Sequence, residues 1–384
     1  MKMMHILVAP NAFKHSLEAE EVAEAIALGL EQSRLPCRVT RFPIGDGGDG
    51  TCKLIQAKVN GQSVEHTVHD PLGREIMASY SLIDDGDTAV IEMADASGIR
   101  LLKDHERDPM RTSSVGTGQL IGHALSQSVK RIIIGMGGSA TVDGACGILH
   151  ALGARFLSAT GEVLSPYPKE LAKLEDIDLS GLDDRLSTCQ ITILCDVSNK
   201  LLGSEGAAAV FGPQKGATAE QVKELDSFLT KLSRVVANKT GKDMQSIISG
   251  GAAGGAAAGM FALADAELVN GIDFFLTITG FHQLLEDVDL VITGEGSLDD
   301  QTLGGKGPFG VAMLAKQKGI PVVALAGKIP LQLGNQLQEV FDVVLPIGNE
   351  PASLQDAFNS TAGNLQRTAT AVGNLIMATA TKRT

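Results

Sequence analysis

Tryptophan is absent from the 384 residues, tyrosine occurs twice and phenylalanine 12 times, too few aromatic faces for the stacking platforms that bind single-stranded nucleic acid. Positive charge is also short. Lys and Arg total 32 against 45 Asp and Glu, and the net charge of -13 argues against a general nucleic-acid or anionic-membrane surface. An anionic ligand must then be held by local charge or by a metal. The five cysteines, Cys37, Cys52, Cys146, Cys189 and Cys195, are odd in number and lack a Cys-x-x-Cys spacing, which argues against a disulfide framework and a structural zinc site. A reducing cytoplasm fits best. The apolar run near the start, Ile6 to Ala9, is far shorter than a signal sequence or a membrane span, so the expectation is a soluble cytoplasmic protein, with neither membrane nor nucleic acid as partner.

Several catalytic signatures are missing as well. There is no His-Glu-x-x-His, no Gly-x-Ser-x-Gly, and no protein-kinase His-Arg-Asp or Asp-Phe-Gly. A P-loop is excluded because Val236, Asp300 and Val322 stand five residues before Gly241, Gly305 and Gly327. His66 and His69 lie three apart on a predicted strand and face opposite sides, so they share no metal.

Glycine is what the chain has in excess: 44 residues without a G-X-Y period, in a composition 44% apolar and 20% charged. This describes a globular protein with many close backbone approaches, long enough for two or three domains. The N-terminus reads strand His5 to Ala9, loop Pro10 to Lys14, and a helix with Ser16 as its N-cap. A second unit follows, with strand Arg38 to Ile44, loop Gly45 to Gly50 and helix Thr51 to Lys58, and the two strands are expected to be parallel. Between Ser63 and Met93 three short strands separated by Asp70-Pro71-Leu72-Gly73 and Asp84-Asp85-Gly86 predict an antiparallel meander.

Alternation then resumes with helix Thr117 to Leu125, strand Arg131 to Ile134, helix Gly144 to Leu152, strand Gln190 to Cys195 and helices at about Ala219 to Asn238 and Gly255 to Leu263. The last hundred residues carry strands Leu290 to Thr293, Val322 to Ala326 and Val343 to Pro346, with helices Gly310 to Gln317 and Leu354 to Ala380. Both termini thus share a plain parallel βα rhythm that the middle lacks. The layout predicts an α/β protein of two domains, one built from residues 1–62 and 281–384, interrupted by an inserted α/β domain, residues 63–280, with some antiparallel strands. The Gly/Ala stretch Gly250 to Gly259 reads equally as a linker or as a helix pressed against a ligand.

Three glycine loops follow predicted strands. Gly45-Asp46-Gly47-Gly48-Asp49-Gly50 satisfies G-x-G-x-x-G in form, yet two carboxylates would repel a pyrophosphate unless a cation intervenes, so a metal-bound phosphate suits it better than NAD. An acidic capped turn is the plain alternative. Gly135 to Gly144 contains Gly137, Gly138, Ser139 and Thr141 ahead of a predicted helix start, where N–H groups and hydroxyls suit phosphate or carboxylate. The third loop, Gly294-Glu295-Gly296 through Asp299, Gln301 and Thr302 to Gly305-Lys306, sits at a strand carboxyl end, where open α/β sheets collect ligands. Lys306, flanked by glycines, can reach a phosphate. Lys14 lies at a helix start, where a cation opposes the dipole unless an anion visits, and Asp196 closes a strand as Asp46 and Asp299 do.

In combination these residues resemble the bacterial glycerate kinases of the type I family. The resemblance is carried by Ala9-Pro10 with Phe13-Lys14 and Ser16-Leu17, by Asp46-Gly47-Gly48-Asp49-Gly50-Thr51, and by Gly137-Gly138-Ser139-Ala140-Thr141 with Asp143-Gly144. Cys195-Asp196-Val197, the run Phe211 to Thr218 containing Lys215, and Gly294-Glu295-Gly296 with Asp299, Gln301-Thr302 and Gly305-Lys306 complete it. Family members often have Asp-Ser where this chain has Asn11-Ala12. The resemblance implies a flavodoxin-like domain carrying the insertion, an active site in the cleft between the two domains, and ATP, Mg2+ and D-glycerate as ligands. It implies transfer to the 2-hydroxyl, giving 2-phosphoglycerate; the residues themselves leave the assembly open between a monomer and a homodimer.

On that footing Lys14 and Lys306 are expected on phosphates or the glycerate carboxylate, Asp196 as the base, and Asp46 and Asp299 on Mg2+. Ser16, Gly47, Gly48, Gly137, Gly138, Ser139, Thr141, Lys215, Gly294, Gly296, Gln301 and Thr302 are expected to bind substrate or phosphate. Transfer to the 3-hydroxyl, a non-catalytic hydroxy-acid or nucleotide sensor, and a nicotinamide dehydrogenase are the competing readings.

Overall fold

The computed structural model describes residues 3–298, 306–332 and 334–380. The chain divides into two compact units, Met1–Asp46 with Ile272–Thr384, and Gly47–Gly271.

The first unit is a five-stranded, wholly parallel sheet. Its spatial order is Val343–Pro346, Val322–Lys328, Leu290–Ser297, Met4–Val8, Cys37–Arg41. Numbered within the unit, that is 2-1-3-4-5 from the Cys37–Arg41 edge, the flavodoxin-like order, whose direction of winding reverses between Met4–Val8 and Leu290–Ser297. Ile6, Leu7 and Val8 are completely buried, as a parallel strand covered by helices on both faces requires. The helices Ala19–Glu31 and Thr361–Ala380 pack so closely that a Cβ on Gly29 would lie 2.2 Å from the Gln366 carbonyl oxygen. Ser16 does not cap the first helix. Glu18 does, in a capping box with Glu21, while the Ser16 hydroxyl donates to Phe358 O and Thr361 Oγ1. The long C-terminal helix is divided into Leu354–Asn359 and Thr361–Ala380, with Ser360 capping the first piece.

The second unit holds a six-stranded mixed sheet in the order Glu267–Asn270, Gln190–Cys195, Arg131–Gly135, Thr88–Glu92, Glu75–Ile83, Gln62–His69. The first four are parallel, and the last two complete the antiparallel meander. A separate hairpin, Arg155–Ser158 with Leu174–Asp178, was not legible in the sequence. The Gly/Ala stretch is a helix, Ala252–Ala264, with Ala253 to Gly255 in left-handed conformations. It is not a linker. It presses on the protein's own backbone: a Cβ on Gly254 would lie 2.1 Å from Thr141 O, and one on Gly259 2.0 Å from Gly144 O. All five cysteines are free thiols, and no described helix is long and apolar enough to cross a membrane.

Candidate active site

In the first unit the candidate residues stand at the carboxyl ends of the strands flanking the reversal of winding. The chain leaving Met4–Val8 stays bound to its neighbour, since Ala9 N donates to Ile292 O and Asn11 N to Gly294 O. Phe13 and Leu17 then exchange both backbone hydrogen bonds, which throws Lys14, His15 and Ser16 into a tight turn with His15 at φ 68° and Lys14 exposed. Gly296 passes beside this turn, its would-be Cβ 3.6 Å from Lys14 N, and a Cβ on Gly294 would strike Leu325 O at 2.1 Å. Asp46, 7% exposed, accepts the Asn11 side-chain amide at 2.7 Å and, at 3.4 Å, the N–H of Gly307. Gly307 opens the helix Gly307–Gln317, with half-buried Lys306 as its N-cap and Pro308 in its first turn. A carboxylate is thus set against a positive helix end. Asp299, Gln301 and Thr302 lie outside the described residues.

In the second unit two glycine loops that are far apart in sequence touch. Gly137 N donates to Gly47 O at 3.2 Å, and a Cβ on Gly137 would lie 2.4 Å from Gly48 C and Asp49 N. A Cβ on Gly138 would meet Asp49 Oδ2 at 3.2 Å, and one on Gly47 would meet Leu194 O at 3.1 Å. These glycines are therefore required where the ends of three parallel strands converge, and half-buried Asp196 follows the last of them, Gln190–Cys195.

Lys215 is 4% exposed and donates through Nζ to Ser139 Oγ at 2.9 Å and to Thr141 O at 2.8 Å. Three of the expected residues thereby meet at one ammonium. Burial holds the Lys215 pKa down to about 7, although Asp143 pulls it up. Asp143 itself is fully buried, and the sequence reading assigned it no role. Its Oδ2 accepts from Ser114 N at 2.8 Å, Ser114 Oγ at 2.7 Å and Gly147 N at 3.2 Å, while burial raises its pKa. The helix anticipated from Gly144 begins only at Cys146, spans six residues, and has this carboxylate against its first turn. No foreign anion is needed at that helix end.

The description "Glycerate kinase family" matches residues 6–377. The chain belongs to the glycerate kinase family. Membership makes it an enzyme, a glycerate kinase. It is 42% identical over 366 residues to the glycerate kinase of Bacillus subtilis (strain 168), covering 95% of this chain and 96% of that protein. With the glycerate 2-kinase of Escherichia coli (strain K12) it shares 41% over 364 residues, again 95% and 96% of the two chains. A solved structure from Salmonella typhimurium LT2, a candidate glycerate kinase 2, superposes with a TM-score of 0.81 at 42% identity, over 99% of this chain and 100% of that one.

Proposed function

We propose that this glycerate kinase transfers the γ-phosphoryl group of ATP to the 2-hydroxyl of D-glycerate, giving 2-phospho-D-glycerate and ADP. The observation that carries the reading is the strand-end cluster of the parallel sheet, where Asn11, Lys14, buried Asp46 and the start of the Gly307–Gln317 helix stand at the place where such sheets bind ligands. The name glycerate 2-kinase on the Escherichia coli relative supports the choice of hydroxyl.

Phosphoryl transfer asks a protein for alignment, for cations facing the developing charge and for a base at the attacking hydroxyl. Lys14 and Lys306 supply cations to the phosphates or to the glycerate carboxylate. Gly137, Gly138 and Ser139, backed by Thr141 and Lys215 and lying against Gly47 and Gly48, form a phosphate-binding turn. Ser16, Gly294, Gly296, Gln301 and Thr302 complete the substrate contacts, and Asp196 accepts the hydroxyl proton.

Among the described residues no three His, Cys, Asp or Glu side chains are grouped to hold a metal. Mg2+ is commonly bound by one or two carboxylates together with substrate phosphates. Asp46 and Asp299 would hold it, and the bound ion would offset charge on the phosphates. The five free thiols fit a reducing compartment, and we place the enzyme in the cytoplasm.

Phosphorus NMR of the protein with D-glycerate, ATP and Mg2+ tests the reading. Resonances of 2-phosphoglycerate are expected. Those of 3-phosphoglycerate would overturn the choice of hydroxyl, and unchanged ATP would overturn glycerate as acceptor in favour of a non-catalytic sensor.

A further inference from the structure

Asp143 lies just beyond the Gly137–Thr141 turn and ties its far end to a pair of helices. It is completely buried, and three donors converge on its Oδ2: the N–H of Ser114 at 2.8 Å, the hydroxyl of Ser114 at 2.7 Å and the N–H of Gly147 at 3.2 Å. Its Oδ1 has no hydrogen-bond partner among the described residues, so the grip is exerted through one oxygen. Ser114 is the N-cap of helix Val115–Ser126, and its Oγ accepts the N–H of Ile148, in helix Cys146–Ala151, at 3.1 Å. Both helices therefore start at this carboxylate. They also meet closely, since a Cβ on Gly118 would lie 2.4 Å from Ile148 O and one on Gly147 2.5 Å from Ser114 N. Backbones in such contact cannot shift separately, and the anchor is a firm one.

The turn needs an anchor because Met136 to Ala145 form neither helix nor strand. Its shape is imposed from outside. Ile99 N donates to Gly138 O at 2.8 Å, Ala140 N to Ser97 O at 2.9 Å, Thr112 Oγ1 to Ala140 O at 3.0 Å and Lys215 Nζ to Thr141 O at 2.8 Å. Asp143 differs from these ties in serving three donors at once. Removing its carboxylate strands two backbone N–H groups and a hydroxyl in the interior, where an unmade hydrogen bond is costly.

We propose that Asp143 is the positioning residue of the Gly137–Thr141 turn, fastening its end to the helix pair at Ser114 and Gly147 and so setting where Gly137, Gly138 and Ser139 meet the phosphates of ATP. Being wholly buried, it does this without touching substrate. The inference deepens the kinase reading and rests on it for ATP as the ligand.

The test compares the wild type with Asp143→Ala, Asp143→Asn and Ser114→Ala by amide hydrogen exchange and by calorimetric titration with ATP and Mg2+. In Asp143→Ala the Ala140 and Gly144 amides, which donate to Ser97 O and Gly254 O, should exchange roughly 10–100-fold faster, the factor for losing hydrogen bonds to a charged group. Exchange in the Gln190–Cys195 strand of the same unit stays as in the wild type. The Kd for ATP rises by a similar factor while the number of sites per chain does not change. Asp143→Asn keeps one oxygen for the three donors but no charge, and falls between. Ser114→Ala loses only the hydroxyl and moves both readouts in the same direction by less.

Faster exchange spread over the whole unit, with fewer sites and an unchanged Kd, would make Asp143 a residue of stability alone and overturn the proposal. Local loosening with an unchanged Kd overturns it as well. Should Asp143→Ala fail to fold, Asp143→Asn and Ser114→Ala decide, and wild-type behaviour in both is fatal. A wild type that binds ATP yet phosphorylates no glycerate loses the proposed acceptor, while exchange and affinity still judge Asp143. One that binds no ATP ends both readings.

Discussion

The side-chain amide of Asn11 donates to Asp46 Oδ2 at 2.7 Å, so a neutral donor faces the buried carboxylate proposed to hold Mg2+. An Asp at this position would place a second carboxylate there, and two carboxylates so close do not both ionise without a cation. Asn11→Asp is therefore expected to gain more thermal stability from added Mg2+ than the wild type does. Unfolding followed with and without the ion checks this, and an equal response would remove Asp46 from the ion's surroundings. Asn11→Ala simply loses a hydrogen bond to a charged group, about 1.5–3 kcal/mol of stability.

The proposed base and the proposed metal ligand separate in steady-state kinetics. Asp196→Asn should cut kcat by about 10²–10⁴-fold with the Mg2+ requirement unchanged, the range expected for loss of a general base. Asp46→Asn should instead raise the Mg2+ concentration needed for half-maximal turnover. Near-normal turnover in Asp196→Asn would end its assignment as base.

Lys215 makes stability depend on pH with a definite sign. Its pKa lies at about 7 in the folded protein and 10.5 ordinarily, so between those values the unfolded chain holds a proton that the folded chain lacks. Stability contributed at this position therefore falls as pH drops through that window. Lys215→Met should abolish the slope, as read from denaturant unfolding at several pH values. It should also lower turnover, because Ser139 Oγ and Thr141 O lose the donor that ties them together.

Gly137→Ala tests the contact between the two glycine loops. The new methyl group would stand 2.4 Å from Gly48 C and Asp49 N, where backbone rather than a flexible side chain must yield. A stability loss of about 1–3 kcal/mol is expected from such overpacking, with a larger proportional fall in kcat than in the folded fraction at room temperature. Normal kinetics in this variant would show that the loops work without their close approach.

Much of the fold was legible because apolar runs bounded by Gly, Pro or Asp leave little choice. Thr51–Lys58, Gln190–Cys195 and Val343–Pro346 occur with the limits their sequences suggest. The hairpin strand Leu174–Asp178 escaped because three of its five residues are acidic, whereas the helix Ala252–Ala264 was legible over Gly255 to Leu263 and only its start, with Ala253 to Gly255 in left-handed conformations, was not. The glycine loops were visible one by one, but the meeting of Gly47 with Gly137 joins residues 90 apart and has no local trace. Asp143 was missed for a related reason. An acidic residue after a glycine run, or at the end of a strand, looks like a solvated cap until its burial is known.

The central pairing of the first sheet also fixes an order of events on the ribosome. Thr293 Oγ1 donates to Ala9 O, and the strands they close are 284 residues apart. At about 5–20 residues per second, the first strand waits roughly 15–60 s for its neighbour to be made. Throughout that interval one edge of Met4–Val8 lacks its final partner, and by its end the Gly47–Gly271 segment has emerged with its entire six-stranded sheet. The inserted segment can therefore finish first, and the nascent chain is most exposed to misassociation through the very strand that ends beside Asn11 and Lys14.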